Sequence, residues 1–427
     1  MYLIYNLLLV IFYPLFQILQ FFVPKLRKVI VERENDLKKL LDFPFEKNRK
    51  VVWFHAASVG ELDQSRAIAK TLKEKNNFVF ILQSVYSSSV TTKQLEDSNF
   101  DLTFHLPFDF PFSYDKIIRK FQPDVLMILA WDTWPNLIRN LKKAGAKTYL
   151  ACASLSESSS RNKGLSRMLT KATFRNLDGI FPSHEILTPY FKPLVSEKTP
   201  LISLGDTRFD AVLNRIETNK PNDRFLDFVK KYNLHFKTER PILFGSTYPI
   251  CENNLLGFLE KNKSETSNFW IFPHKWEADR MSTLSKELER YGSVGNFSNL
   301  VDQQGEYPRF LLFDEMGILA FAYQFARFAY VGGGFHHRIH NTIEPAAFGL
   351  ALLTGSKISN APEAIVMQKL GGLFVCQNEE DFSTRLSVLL SDQTKTQEIG
   401  EKNRKFVLEN RGASERIYLK VFSDALS

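Results

Sequence analysis

Short apolar runs alternate with amphipathic stretches twice along this chain, and that doubled rhythm constrains the fold more than any other feature. Such runs suit strands buried on both faces, and the stretches between them suit helices that cover a parallel sheet. In the first half the predicted strands are 51–57, 78–84, 125–129, 148–153, 179–182 and 201–204, with helices over 62–74, 114–121, 135–143 and 165–175. In the second half they are 241–246, 269–273, 309–313, 328–331, 351–353 and 373–376, with helices over 277–291, 342–348, 379–390 and 396–408. Between the halves, 214–239 is polar and charged and reads as a linker plus a helix. The class is α/β, with two Rossmann-like domains facing each other across a cleft. No short-period repeat supports a solenoid.

Composition narrows the partners. The 427 residues are enough for more than one core, and 38 Phe, 14 Tyr and 5 Trp exclude disorder. Cys152, Cys251 and Cys376 are far apart with no CxxC pair, so they read as buried small hydrophobes and not as a disulfide or zinc framework. A net charge of +8 favours anionic surfaces or substrates.

Tyr2 to Val23 carries no charged side chain and is about one bilayer of helix long. Asn6, Gln17, Gln20 and Pro14 interrupt it, and Lys25, Arg27 and Lys28 follow at once, as on the cytoplasmic flank of an inserted segment. A membrane anchor over 1–24 is expected, the alternative being a helix lying in the interface or docked on a soluble body. Residues 25–49 read as a charged helical connector. No small-residue cleavage site marks a signal peptide.

In open α/β sheets, ligands bind at the carboxyl ends of the strands, so the loops there hold the candidate residues. The first is His55-Ala56-Ala57-Ser58-Val59-Gly60-Glu61, in which Ser58 and Gly60 allow close approach and Glu61 could take a proton from a hydroxyl. Equally, Glu61 could only favour the start of a helix. In the second half, Gly332-Gly333-Gly334 ends a strand and Asn341-Thr342-Ile343-Glu344 opens a helix, a pattern that suits a phosphate or merely a tight turn. No GxxxxGK[ST] is present. His336, His340 and Glu344 would share one face if helical, which raises a metal reading, but the glycines favour a loop and HExxH is absent; no metal is expected. Pro273-His274-Lys275, Met316-Gly317 and Ser246-Thr247 follow other strands in the same half.

Taken in order, these segments resemble the 3-deoxy-D-manno-octulosonic acid (Kdo) transferases of lipopolysaccharide assembly, which are membrane-anchored GT-B glycosyltransferases. The motifs are HAASVGE at 55–61, LPFDFP at 106–111, WPNL at 134–137, GDTRFD at 205–210, GST at 245–247, DEMG at 314–317, VGGG at 331–334 and HNTIEPAA at 340–347. The resemblance implies inverting transfer of Kdo from CMP-Kdo to a lipid A precursor of the lipid IVA type, at the cytoplasmic face of the inner membrane, with no cofactor, metal or nucleic acid. It implies that Glu61 is the general base, with Asp132 a second catalytic carboxylate. Pro273, His274, Lys275, Met316, Gly317, Ile318, Gly333, Gly334, Asn341, Thr342, Ile343 and Glu344 would hold CMP-Kdo. Ser58, Gly60, Arg208, Ser246 and Thr247 would serve the acceptor or the rest of the site. The domains implied are 50–213 for the acceptor and 240–410 for the nucleotide sugar, with a terminal helix over 411–427.

The chain also departs from the family pattern. Ala130-Trp131-Asp132-Thr133 stands where the family has Glu-Thr-Glu and the residue before Trp-Pro-Asn, so one carboxylate is lost and the other shortened. Pro273-His274-Lys275 replaces Pro-Arg-His, Cys152-Ala153-Ser154 replaces Asn-Ala-Arg, and Ile318 replaces the glutamate of Met-Gly-Glu. The alternatives are a GT-B enzyme with another nucleotide sugar or acceptor, or a low-activity or scaffold relative.

Overall fold

Two parallel sheets organise the computed structural model, which describes residues 1–87, 90, 96–156, 159–218, 223–232, 240–302 and 306–423. The chain divides into two compact units, Met1–Ala211 with Gly412–Ser427, and Val212–Arg411.

In the first unit, β1 (Val51–Ala56), β2 (Phe80–Val85), β3 (Leu102–His105), β4 (Val125–Leu129), β5 (Lys147–Ala153) and β6 (Gly179–Pro182) form a six-stranded sheet in the order β3-β2-β1-β4-β5-β6. Every pairing is parallel. β1, β2 and β4 are buried along their whole length, which is why they read as unbroken apolar runs. Successive side chains still part to opposite faces. Val51 and Trp53 join one core with Phe104, Tyr114 and Phe121, while Val52, Phe54 and Ala56 join the other with Leu62, Ile68 and Phe422.

The edge strand β3 was not expected, because half of it is only partly buried and its apolar signal is weak. The strand expected at 201–204 makes only a single bridge, between Ile180 and Leu201. The terminal helix runs over Ala413–Ile417 and continues as a π-helical turn over Tyr418–Phe422; its expected end at 424–426 lies outside the described residues. Asp210 accepts from the backbone N–H groups of Gly412 and Ser414 at 2.6 and 2.7 Å, so the last residue of GDTRFD caps that helix.

The N-terminal apolar segment forms α1 (Tyr2–Leu19), long and apolar enough to cross a membrane, followed by α2 (Pro24–Asp42). Neither stands free of the body. Asn176 donates to the Tyr2 hydroxyl at 2.9 Å, and Asn136 donates to Asn6 at 2.7 Å. Tyr13 and Phe16 pack edge-on against Phe110 and Phe108. The stretch 25–49 is likewise a docked helix and no mere connector. Its Arg33 is buried, donating to the carbonyls of Leu106 and Tyr86 at 2.9 and 2.8 Å, and Asp36 pairs with His105 at 2.7 Å.

One carboxylate joins these parts. Asp109, of LPFDFP, accepts from Tyr5 (3.0 Å), Tyr114 (2.8 Å) and the N–H groups of Asn136 and Leu137 (3.0 Å each). It therefore caps the helix Pro135–Lys143, which WPNL opens, and ties α1 to it. Burial pushes its carboxyl up to about 6 against the pull of those donors.

In the second unit, β7 (Ile242–Thr247), β8 (Phe269–Pro273), β9 (Val294–Asn296), β10 (Phe310–Leu312), β11 (Ala329–Val331), β12 (Leu352–Gly355) and β13 (Leu373–Cys376) form a seven-stranded sheet in the order β13-β12-β11-β7-β8-β10-β9. The short β9 was not expected; all three of its residues are only partly buried. Within the stretch read as a linker, the helix Asp223–Lys231 buries Phe225 and Phe228 among Trp270, Phe297 and Phe313, while 219–222 and 233–239 lie outside the described residues. The three cysteines are buried and unpaired.

Asp109→Ala would leave two helix N–H groups and two tyrosine hydroxyls without their acceptor. We expect a loss of about 3–4 kcal/mol in denaturant unfolding; Phe112→Ala, at a side chain 63% exposed, should cost under about 1 kcal/mol.

Candidate active site

A parallel sheet opens a crevice where its strand order reverses. In the first sheet that point lies between β1 and β4, so the loops after these two strands flank it. The loop after β1 carries Ser58, Gly60 and Glu61; the loop after β4 carries Trp131 and Asp132.

The helix α3 (Val59–Lys75) begins just past Ser58, which stands at its N-cap, and Glu61 lies in its first turn. The Glu61 carboxylate folds back to accept the Ala57 N–H at 2.5 Å. With 7% exposure its carboxyl is pushed up to about 7, chiefly by burial; the Ala57 hydrogen bond opposes this and the Asp132 charge adds to it. Gly60 is exposed, and a Cβ there would meet nothing within 4 Å, so the space beside Glu61 is open.

Asp132 is paired with Arg161 at 3.0 Å. Burial raises its carboxyl and Arg161 opposes that rise; burial lowers the Arg161 guanidinium, which both Asp132 and Glu61 help to keep charged. Ala130, which launches the loop, is held in the left-handed region at φ 60°.

Behind this cluster His55 is fully buried, its imidazole pushed down to about 3 by desolvation. Its Nε2 accepts from the Trp134 indole at 2.8 Å, which leaves Nδ1 to donate to the Ser84 hydroxyl at 2.9 Å. His55 thus fixes Trp134 and the end of the Asp132 loop without meeting solvent. Arg208 is ion-paired with Asp206 at 2.7 Å, and Asp206 also accepts from Gln64 of α3 at 2.9 Å. GDTRFD therefore braces α3 as well as capping the terminal helix.

In the second unit the order reverses between β7 and β11, and there too the flanking loops meet. Ser246 sits at φ 55°, where the register of β7 against β8 shifts. Thr247 is buried and donates to Glu252 at 2.7 Å. Tyr248, overlooked in the sequence, stacks on His336 and His274 at 4.5 and 5.0 Å and lies 3.1 Å from His340 Nε2. Burial lowers His274 and His340, the latter to about 4, so at neutral pH these rings act as neutral hydrogen-bonding groups. Cationic character falls to the exposed Lys275 and Arg338.

The glycines answer first to packing. A Cβ on Gly332 would lie 2.0 Å from the Ser246 carbonyl, and one on Gly334 2.5 Å from Thr354 Oγ1; Gly333 takes φ +90°. Residues 336–340 form a loop, so His336, His340 and Glu344 do not share a helical face; the helix there is the short Ile343–Ala347. The Asn341 side chain accepts from the Ile343 N–H at 2.9 Å, while Glu344 is bonded by Arg215 at 2.7 Å. Ile318 and Ile343 are core residues at 1% and 0% exposure, so as side chains they do not meet a ligand. Met316 is 92% exposed beside Gly317, and Pro273 ends β8 half-buried. The buried Thr342 hydroxyl has no partner among the described residues.

Residues 32–211 match the family model described as 3-deoxy-D-manno-octulosonic-acid transferase (kdotransferase). The 3-deoxy-D-manno-octulosonic acid transferase of Haemophilus influenzae is 24% identical over 376 residues, 86% of this chain and 85% of that protein. Its counterpart in Chlamydia muridarum is 26% identical over 370 residues, covering 85% and 83%. Among solved structures, a glycosyltransferase of Rickettsia africae superposes with TM-score 0.58 at 14% identity, covering 89% of this chain and 99% of that one. A UDP-GlcNAc 2-epimerase of Neisseria meningitidis gives 0.60 at 11%, covering 84% and 99%. The fold is therefore of the GT-B type, two Rossmann-like units joined in one chain. The Glu61 loop and Asp132 lie inside the region that matches the 3-deoxy-D-manno-octulosonic-acid transferase model, and the relatives of that name align over 85–86% of this chain.

Proposed function

We propose that this chain is an inverting glycosyltransferase that moves Kdo from CMP-Kdo to a lipid A precursor of the lipid IVA type, without a metal ion. The observation that carries the reading is Glu61, a largely buried carboxylate at the switch point of the first sheet, with open space at Gly60 beside it. A carboxyl raised to about 7 is a base matched to neutral pH. It takes the proton of the acceptor hydroxyl as that oxygen forms a bond to the anomeric carbon of Kdo. The bond from that carbon to the CMP phosphate breaks, and CMP departs with the electron pair.

The donor falls to the second unit. Lys275 and Arg338 offer positive charge to its phosphate and carboxylate. His274, neutral at pH 7 where the family carries arginine, makes the nucleotide the part to test most directly. Unfolding midpoints with CMP, UDP and GDP compare the three, since the bound nucleotide alone shifts the midpoint. CMP should give the largest rise.

The protein would work at the cytoplasmic face of the inner membrane. α1 is held along the first unit by Tyr2, Asn6, Tyr13 and Phe16, and it leaves Leu7, Ile11, Leu15 and Ile18 about half exposed. That arrangement suits a helix lying in the lipid interface, with Lys25, Arg27 and Lys28 beside anionic headgroups. Leu7→Glu with Ile11→Glu should lower sedimentation with anionic lipid vesicles at least tenfold while the unfolding midpoint holds; unchanged binding would remove α1 from the membrane contact.

Product mass after incubation with CMP-Kdo and lipid IVA tests the transfer itself. Glu61→Gln should slow it by about 10²–10⁴. Because Glu61 must be deprotonated to act, the rate should rise with pH through about 7. Asp132→Asn removes a like charge and should move that rise to lower pH, whereas Arg161→Met removes an opposite charge and should move it higher.

A further inference from the structure

We propose that Trp131 is the platform on which a pyranose ring of the acceptor stacks, and that Arg161 is the positioning residue that holds it there. The inference rests on the reading of Glu61 as the base that activates an acceptor hydroxyl. Trp131 stands in the loop after β4, one residue from Asp132, with 48% of its surface exposed. An indole left half in water beside a partly buried carboxylate is unusual, because its apolar face is normally buried.

Arg161 explains why the ring stays there. Its guanidinium lies 4.6 Å from the ring centroid, a cation–π arrangement. The same group donates to the Trp131 carbonyl, to Thr133 Oγ1 at 3.4 Å and to Asp132 at 3.0 Å. One planar fork thus grips three successive residues, a geometry lysine cannot reproduce. The guanidinium lies over one face of the indole, and 48% of the residue's surface is exposed. A pyranose shows a face of C–H groups that packs on such a surface while its hydroxyls point outward to hydrogen-bonding partners. Ala130, directly before Trp131, is held at φ 60° in the left-handed region. Trp131 follows β4 and Glu61 follows its neighbour β1, so a sugar stacked on Trp131 lies at the same end of the sheet as the base.

The test titrates the deacylated, phosphorylated glucosamine disaccharide of the lipid A backbone into the full-length protein by calorimetry, with no donor present. Turnover is then measured with intact precursor. Trp131→Ala should weaken disaccharide binding by about five- to tenfold, and Trp131→Phe should keep most of it. In turnover the loss should fall on KM for the acceptor more than on kcat, with KM for CMP-Kdo unmoved. Arg161→Lys should weaken binding less than Trp131→Ala and should also shift the pH profile. Binding by Trp131→Ala equal to wild type, wild type failing to bind the disaccharide, or an equal loss for donor and acceptor overturns the inference. If wild type binds it and Trp131→Ala does not, yet CMP-Kdo gives no product, the donor reading falls and the platform stands.

Discussion

Parallel pairing is the constraint on which the rest of the structure depends. When all strands of a sheet run the same way, their carboxyl ends share one edge, and a reversal of strand order parts the helices above that edge. The first sheet reverses between β1 and β4, and the second between β7 and β11. Those two reversals select, from about a dozen strand ends, the loops that hold Glu61, Trp131 and Asp132 in one unit and Tyr248, His336 and His340 in the other. Only there can side chains from separate βα units approach one another without being buried under a helix.

The chemistry at the first of these points is set by desolvation. Glu61 and Asp132 both lose water, and both rise, but their partners differ. Asp132 has a guanidinium against it; Glu61 has a backbone N–H. A guanidinium favours the charged form of the carboxylate it faces, whereas a backbone N–H offsets less of the cost of burial. Burial alone does not separate the two carboxyls, and the identity of the hydrogen-bond donor does.

Several motifs that look functional serve as braces for that point. Asp109 of LPFDFP caps the helix that WPNL opens; His55 of HAASVGE fixes Trp134; Asp206 and Asp210 of GDTRFD hold α3 and the terminal helix. Each is a buried polar group joining segments distant in sequence, and each would be costly if unpaired. The glycines at 332–334 belong with them, since neighbouring backbone leaves no room for a Cβ. A run that suggests a phosphate loop is required first by the close approach of the loop after β11 to β7 and β12.

The sequence by itself determined the class of fold, most strands of both sheets, the helix that carries Glu61 in its first turn and the amphipathic covering segments. These follow from local periodicity and from the burial of whole strands, which leave apolar runs that no other structure would use. Weak elements such as β3 and β9 escaped because half-buried strands carry little apolar signal. Tertiary structure decided what periodicity cannot encode. It showed that Arg161, 29 residues from Asp132, closes over it; that Arg208 and Glu344 are already ion-paired; that Ile318 and Ile343 are core; and that the polar and aromatic residues of α1 seat it on the body. The reason is the same throughout. A charged or polar side chain shows its type in the sequence, but its partner is fixed only when the chain brings two distant segments within about 3 Å and removes the water between them.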